Sequence, residues 1–318
     1  MVGASLAIRQ LKARLPAVAR AQRTTLISGP TGAGKDVVAR SLHAQSPRRE
    51  RPFVTVHCAA LPDTLVEAEM FGHARGAFTG ATQSRAGLIR SAAGGTIFLD
   101  EIDSLPGGAQ AKLLRFLETG EYRAVGSDRV EHSDAWVIAA TNQNLVERVE
   151  RGLFRPDLMY RLAVVNLPVP PLAERTDDIL ALAEHFLAQA TAGAKRLADD
   201  ARAAMLAYTW PGNVRELKHR VETAALFDDA GVIGREALGF AGPPVAVAPP
   251  SAAPPPPTTS LEADLWSLIA DHGLTLAQAM GHVESLMIRA ALRAESDNRT
   301  RAASRLGIHV RTIFKKLP

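Results

Sequence analysis

A glycine-rich run that ends in a lysine and an aspartate lies near the start of the chain. It consists of Gly29, Pro30, Thr31, Gly32, Ala33, Gly34, Lys35 and Asp36. Glycines allow several backbone N–H groups to face one anion, and a helix that begins there adds its dipole. We therefore predict a phosphate-binding loop for ATP, in which Lys35 reaches the β- and γ-phosphates. Asp36 stands where the general pattern has a Ser or Thr ligand for Mg²⁺.

An acidic pair follows a short apolar run later in the chain, where Asp100 and Glu101 come after residues 97–99. We predict that Asp100 holds Mg²⁺ and that Glu101 polarises the water that attacks the γ-phosphate. Such a pair alone often only caps the next helix, but together with a phosphate loop it indicates ATP hydrolysis. Asn142 follows another apolar run and is a candidate to orient the water or to sense the γ-phosphate. Its alternative is an ordinary asparagine in a turn.

The elements that would position these residues follow an α/β pattern. Residues 24–28, 53–57, 96–100 and 136–140 are short apolar runs that predict buried parallel strands. Helical patterns such as 36–45 and 110–119 lie between them, which predicts a parallel sheet with helices on both faces. Ligands bind at the carboxyl ends of strands in such sheets. Alanine-rich helical stretches over residues 177–228 predict an all-helical subdomain.

A proline-rich stretch divides the chain. Residues 241–260 carry prolines that fix φ and remove backbone donors, so we predict an extended linker there. The predicted organisation is an α/β ATPase subdomain at 1–170, a helical lid subdomain at 171–240, this linker, and a small all-α domain at 261–318.

The last thirty residues carry the basic charge. Residues 289–318 hold eight Arg or Lys against Glu295 and Asp297, whereas the whole chain has a net charge of +4. Two helical patterns flank Gly307 and predict a helix-turn-helix that binds double-stranded DNA, although a solvated helix face is the commoner fate of a charge run. The candidate DNA-binding residues are Arg301, His309, Arg311, Thr312, Lys315 and Lys316.

The composition is that of a globular protein, with 47% hydrophobic and 22% charged residues. No apolar run approaches the ~18 residues of a membrane span, and the first twenty residues lack the core of a signal peptide. Cys58 is the only cysteine, so no internal disulfide can form. We predict a cytoplasmic protein without a membrane partner.

At this point the residues resemble the AAA+ domain of the sigma-54-dependent transcription activators. The most specific match is the hexapeptide Gly76, Ala77, Phe78, Thr79, Gly80 and Ala81. In that family it forms a mobile loop that contacts sigma-54, and the resemblance implies the same contact here. An exposed phenylalanine at a glycine-rich tip is an unusual choice for an ordinary surface loop. The C-terminal residues resemble the Fis-type helix-turn-helix of the same family.

The resemblance also implies roles for residues that carry no signal alone. Arg155 and Arg161 match the segment that supplies arginine fingers to a neighbouring subunit, and Arg215 matches a lid arginine that senses nucleotide in cis. His57 stands where the family usually has an asparagine that contacts the catalytic glutamate, so we predict that His57 reaches Glu101, with a satisfied core histidine as the alternative. The implied assembly is a ring, commonly a hexamer, with a dimer through the C-terminal domain. Its implied partners are sigma-54 RNA polymerase and an enhancer-like DNA site.

The AAA+ pattern begins almost at Met1, whereas most activators of this family carry an N-terminal sensory domain. We therefore expect control by expression level, by a separate regulatory protein or by a hetero-oligomeric partner. Two other functions stay open at this stage. One is a DNA-tethered AAA+ remodelling ATPase that does not act on sigma-54, and the other is a repressor whose ATPase domain only oligomerises.

Overall fold

The computed structural model describes residues 1–60, 62–78, 80–227 and 231–240, and the single residues Ile288, Ala291, Leu292 and Ala303. Two compact units divide the chain, Met1–Val245 and Ala246–Pro318. In the second unit the four described residues are helical, and Ile288, Ala291 and Ala303 are buried. Apart from Ala303, the predicted helix-turn-helix lies outside the described residues, and so do all six candidate DNA-binding residues.

The first unit alternates strands and helices. The helices are Leu6–Ala21 (α1), Lys35–Ala44 (α2), Asp63–Phe71 (α3), Leu88–Ser91 (α4), Gly107–Thr119 (α5), Leu145–Glu150 (α6), Pro156–Leu162 (α7), Asp177–Thr191 (α8), Asp199–Ala207 (α9) and Asn213–Phe227 (α10). The strands are Thr25–Ser28 (β1), Phe53–His57 (β2), Gly72–His73 (β3), Arg85–Ala86 (β4), Thr96–Asp100 (β5), Glu121–Tyr122 (β6), Glu131–His132 (β7), Trp136–Thr141 (β8), Val165–Pro168 (β9), Arg196–Leu197 (β10) and Val232–Ile233 (β11). None of the helices in the described part of the chain is long and apolar enough to cross a bilayer.

The main sheet has the strand order β2-β5-β8-β1-β9, and all its pairings are parallel. The predicted α/β class is therefore confirmed, and the four predicted strands match β1, β2, β5 and β8 to within a residue at each end. The sequence did not predict β9, which lies at the edge of the sheet and ends at Pro168. Proline is tolerated at such an edge because it removes no hydrogen bond to an inner strand.

Side chains alternate across the sheet and build a core on each face. In β5, Ile97 and Leu99 pack into the core that contains Phe71, Leu113 and residues of α7. Between them, Phe98 packs on the opposite face with α1 and α2, next to Val38. Because both faces are covered, β5 is buried and its carboxyl end is held firmly at Asp100.

A separate helical core forms the lid. Helices α8, α9 and α10 enclose Trp210, which is 1% exposed and whose Nε1 donates to the Met205 carbonyl at 2.8 Å. The Arg220 guanidinium lies 4.7 Å from the ring centre of Tyr208 and 4.9 Å from that of Phe240. These contacts tie the end of the lid back onto α10, which starts next to the phosphate loop.

Candidate functional site

The glycine-rich run connects β1 to α2 at the carboxyl edge of the sheet, as a phosphate loop must. Gly32 has φ +75°, and a Cβ at this position would lie 2.4 Å from the Gly212 carbonyl of the lid. Gly34 has φ +101° and is the N-terminal cap of α2. Both conformations favour glycine, and the contact at Gly32 allows the lid to touch the loop backbone directly.

Lys35 is the first residue of α2, and its side chain folds back over the loop. Its Nζ donates to the carbonyls of Gly29 at 2.8 Å and Pro30 at 3.1 Å. Burial lowers the pKa of the ammonium group, whereas the charges of Asp100 and Glu101 oppose this shift. The ammonium is therefore held inside the loop, close to Asp100 and Glu101, which were predicted to act on the same ATP molecule.

The acidic pair lies where β5 ends. One Asp100 oxygen accepts from the Glu101 N–H at 3.1 Å, and the chain turns sharply at Glu101 with φ +54° and ψ +48°. Left-handed backbone at a residue other than glycine costs about 1–3 kcal/mol and tends to occur at functional sites. Strand β5 therefore ends at Asp100, and Glu101 no longer follows the strand geometry.

His57 pairs with Asp100 and not with Glu101. Strand β2 runs beside β5 in a register that sets His57 opposite Asp100, and its Nδ1 lies 3.5 Å from an Asp100 oxygen. Glu101 is one residue beyond this register and turns away, so the expected His57–Glu101 contact does not form. The imidazole side chain is 63% exposed, so it is not a buried core histidine either.

Asn142 follows β8 and lies against the phosphate loop, because its Nδ2 donates to the Thr31 hydroxyl at 2.8 Å. A second polar group, Asp103, supports the end of β8, and the sequence did not identify it. Asp103 is a buried carboxylate that accepts from the Thr141 hydroxyl at 2.6 Å. This bond fixes the end of β8 to the segment after the acidic pair, and so it sets the direction from which Asn142 reaches the loop.

Arg155 and Arg161 lie at the two ends of α7 and are exposed. Arg155 makes a two-bond fork to Asp157, with distances of 3.0 Å and 2.7 Å. In the described part of the chain neither arginine makes a hydrogen bond or an ion pair with the phosphate loop. Both guanidinium groups are thus presented to the outside of the protomer.

The lid closes over the other side of the loop. The backbone N–H of Arg215 donates to the Gly32 carbonyl at 3.2 Å, and the charge of its exposed side chain contributes to the lowered pKa of Lys35.

A cavity of about 260 Å³ lies next to Gly34. It is lined by Ile8, Val37, Val38, Leu182 and Phe186 together with Arg175 and His185. The cavity walls come from α1, α2 and α8, and no local sequence signal brings these three helices together.

The hexapeptide lies between the short strands β3 and β4, and its backbone folds back on itself. The Gly76 N–H donates to the Ala81 carbonyl at 2.8 Å. The Phe78 ring is half-buried and meets the ring of His73 edge-on at 5.1 Å, so it is not the freely exposed tip that the sequence suggested. Thr79 lies outside the described residues. The tip is thus docked by an aromatic contact on the strand that leads into it.

Replacing His73 with Ala should release this tip. An aromatic pair contributes about 0.5–1.5 kcal/mol, so we expect tryptic cleavage after the exposed Arg75 to become about two- to tenfold faster. The His73 Nδ1 is buried and has no hydrogen-bond partner among the described residues, so its loss should cost little overall stability. His132→Ala, at an exposed histidine of β7, is the control. An unchanged cleavage rate would show that the ring contact does not hold the loop.

A phosphate loop after β1, an acidic pair at the end of the inner strand β5 and a helical lid define a phosphate-loop ATPase of the AAA+ class. Three family models match the chain, namely the sigma-54 interaction domain at residues 1–168, the AAA+ ATPase lid domain at 173–241 and the Fis family of bacterial regulatory proteins at 279–318. The chain belongs to the family of sigma-54-dependent transcription regulators.

Similar proteins include regulators of several processes. The chain is 43% identical to the nitric oxide reductase transcription regulator NorR2 of Cupriavidus necator, over 99% of this chain and 62% of that protein. It is 38% identical to the DNA-binding transcriptional regulator NtrC of Rhizobium meliloti, over 100% of this chain and 69% of that protein. The chain thus spans about two thirds of the length of these relatives.

Solved structures agree with the fold. Crystal structures of NtrX from Brucella abortus in complex with ADP and with ATP each match at a TM-score of 0.69 with 32% identity, over 100% of this chain and 68% of that chain. Both nucleotides bind to a protein with this architecture, which agrees with the class that the site geometry defines.

Proposed function

We propose that the chain uses ATP hydrolysis to remodel closed complexes of sigma-54 RNA polymerase, acting in the cytoplasm from an upstream DNA site. The observation that carries the proposal is the convergence of Lys35, Asp100 and Glu101 at one edge of a sheet whose domain also presents residues 76–81. The hexapeptide, the family match and the basic C-terminus support sigma-54 polymerase and double-stranded DNA as partners.

In this proposal each residue of the site has a separate role. Lys35 offsets phosphate charge, and the loop N–H groups hold the phosphate oxygens. Asp100 is the ligand for Mg²⁺, and the ion would neutralise charge on the phosphates. One or two protein carboxylates are enough to bind Mg²⁺ at such a site, because phosphate oxygens and waters supply its other ligands. Glu101 takes the proton of the attacking water, and Asn142 orients that water beside Thr31. The cavity next to Gly34 receives the adenine base.

Arg155 and Arg161 complete the site of the neighbouring protomer in a ring, which we propose to be a hexamer. Their exposure and the Asp157 fork that orients Arg155 support this assignment. Arg215 reports the nucleotide state to the lid, and His57, beside Asp100, follows the state of the acidic pair. The resulting movement reaches the docked tip at residues 76–81.

The C-terminal residues, including Arg301, His309, Arg311, Thr312, Lys315 and Lys316, would bind the upstream DNA site and form a dimer. A helix-turn-helix places its second helix in the major groove, where such side chains meet bases and phosphates.

Open-complex formation with purified sigma-54 polymerase and ATP tests the proposal. Wild type should open promoter DNA, whereas Thr79→Ala should hydrolyse ATP at an unchanged rate and open less than about a tenth as much, because hydrolysis and contact are separate steps. Gln83→Ala, an exposed change just outside the hexapeptide, should behave as wild type. If wild type hydrolyses ATP but opens no promoter, the target is another macromolecule and the sigma-54 assignment is wrong.

A further inference from the structure

Two buried lid side chains hold backbone carbonyls of the phosphate loop. The Arg175 Nη2 donates to the Ala33 carbonyl at 2.7 Å, and the Asn213 Nδ2 donates to the Thr31 carbonyl at 3.0 Å. Arg175 is 5% exposed and Asn213 is 4% exposed. We call this pair the loop clamp. Neither side chain was assigned a role from the sequence.

The loop clamp determines where two backbone N–H groups point. A peptide unit is planar and trans, so its carbonyl and its N–H point in opposite directions. With the Ala33 carbonyl bound to Arg175, the Gly34 N–H must point away from that guanidinium. The Thr31 carbonyl bound to Asn213 directs the Gly32 N–H in the same way. Within the part of the chain that the structure describes, these two N–H groups have no acceptor.

Asn213 is itself held at both ends of its amide. Its Oδ1 accepts from the Leu172 N–H at 2.8 Å, while its Nδ2 serves Thr31. Its backbone has φ +53°, which asparagine tolerates better than most residues. The amide therefore bridges the start of the lid to the loop in one fixed orientation.

The buried guanidinium of Arg175 has few polar partners, so a contribution to folding stability does not by itself explain why an arginine stands at this position. Its Nε is buried and has no hydrogen-bond partner among the described residues. The nearby Asp178 carboxylate opposes the effect of burial on the arginine pKa, but it is already engaged by the Ala4 N–H, the Ser5 N–H and the Ser5 hydroxyl. A buried guanidinium with so few partners costs stability unless another interaction offsets it. An anionic ligand in the adjacent loop is such an interaction.

We propose that the loop clamp is a positioning device for nucleotide phosphates, which sets the Gly32 and Gly34 N–H donors and makes phosphate affinity depend on the lid. This inference rests on the proposed function, because it assumes that the loop takes a nucleotide. It adds two positioning residues that act through the loop backbone and need not touch the nucleotide.

Comparing ADP with adenosine separates phosphate positioning from general loosening. We expect Asn213→Gly, which tolerates positive φ and adds no charge, to weaken ADP binding about tenfold, since a buried acceptor loses its donor. Adenosine, which has no phosphate, should bind within about twofold of wild type. Arg175→Met should show the same pattern, and Arg175→Lys should recover part of the loss. Arg202→Met, at a partly exposed lid arginine that pairs with Glu184, is the control.

Titration calorimetry on the full chain gives both affinities, and thermal melting without ligand shows that each variant is folded. Because Arg175 also borders the cavity, Asn213→Gly is the decisive variant. The loop clamp is overturned if Asn213→Gly keeps wild-type ADP affinity, or if it loses ADP and adenosine by the same factor. If wild type binds neither ligand, both the loop clamp and the proposed ATPase are wrong. If Asn213→Gly loses affinity for ADP alone but wild type does not remodel polymerase, the loop clamp is supported and only the sigma-54 assignment is wrong.

Discussion

Glu101→Gln is expected to lower the kcat of ATP hydrolysis by about 10²–10⁴-fold, the usual contribution of a general base. Glutamine keeps the size of the side chain and the sharp turn at φ +54°, but it cannot take a proton from water. Lys35, the loop N–H groups and Asp100 are unchanged, so ATP affinity should stay within about threefold of wild type because the interactions that hold the phosphates remain. Phosphate release and equilibrium nucleotide binding measure the two quantities separately.

A matched control and a contrasting variant sharpen this experiment. Glu118→Gln changes an exposed carboxylate of α5 and should leave kcat unaltered. Asp100→Asn should instead reduce the Mg²⁺-dependent part of ATP binding, because Asp100 is the proposed ligand. Equal loss of ATP binding in the Glu101 and Asp100 variants would contradict the separate roles proposed here, in which Asp100 binds Mg²⁺ and Glu101 activates the water. Full activity of Glu101→Gln would remove it from catalysis.

The parts of the site that the sequence predicts are the residues whose roles follow from their immediate neighbours in the chain. Lys35 follows its glycines directly, and the acidic pair follows a run of apolar residues that has to be a buried strand. Parallel strands in one sheet end at the same edge, so Asp100 was expected at the same edge of the sheet as the phosphate loop once both runs were recognised as strands. These predictions needed only spacing and periodicity.

The parts that the sequence does not predict depend on partners far apart in the chain. Arg175 meets Ala33 across 142 positions, and Asp103 meets Thr141 across 38. Neither pair has a spacing that a helix or strand would impose, so only packing of the lid and of the inner strands decides them. The contact of His57 was predicted with Glu101 and is made with Asp100 for a related reason, since one residue along β5 separates the two carboxylates. Phe78 was expected to be exposed because its ring partner, His73, lies outside the hexapeptide.

The second large effect concerns Arg155, where we expect Arg155→Ala to lower kcat by about 10³-fold or more, as for other arginine fingers. The guanidinium is exposed and makes no hydrogen bond or ion pair with the phosphate loop of its own protomer among the described residues, which is why we propose that it acts on a neighbour. Specific ATPase activity of wild type should therefore fall steeply on dilution below the concentration at which the ring assembles.

Mixing two inactive variants tests the direction of this action. An Arg155→Ala protomer keeps Glu101, and a Glu101→Gln protomer keeps Arg155, so sites between unlike neighbours contain both groups. In a head-to-tail ring assembled at random from equal amounts, about one quarter of the sites are complete, and activity should return to that level. The double variant Glu101→Gln, Arg155→Ala should restore nothing when mixed with Arg155→Ala. If the first mixture stays inactive although both variants bind ATP and co-assemble, Arg155 does not act between protomers, and the exposed face of α7 must be assigned another partner.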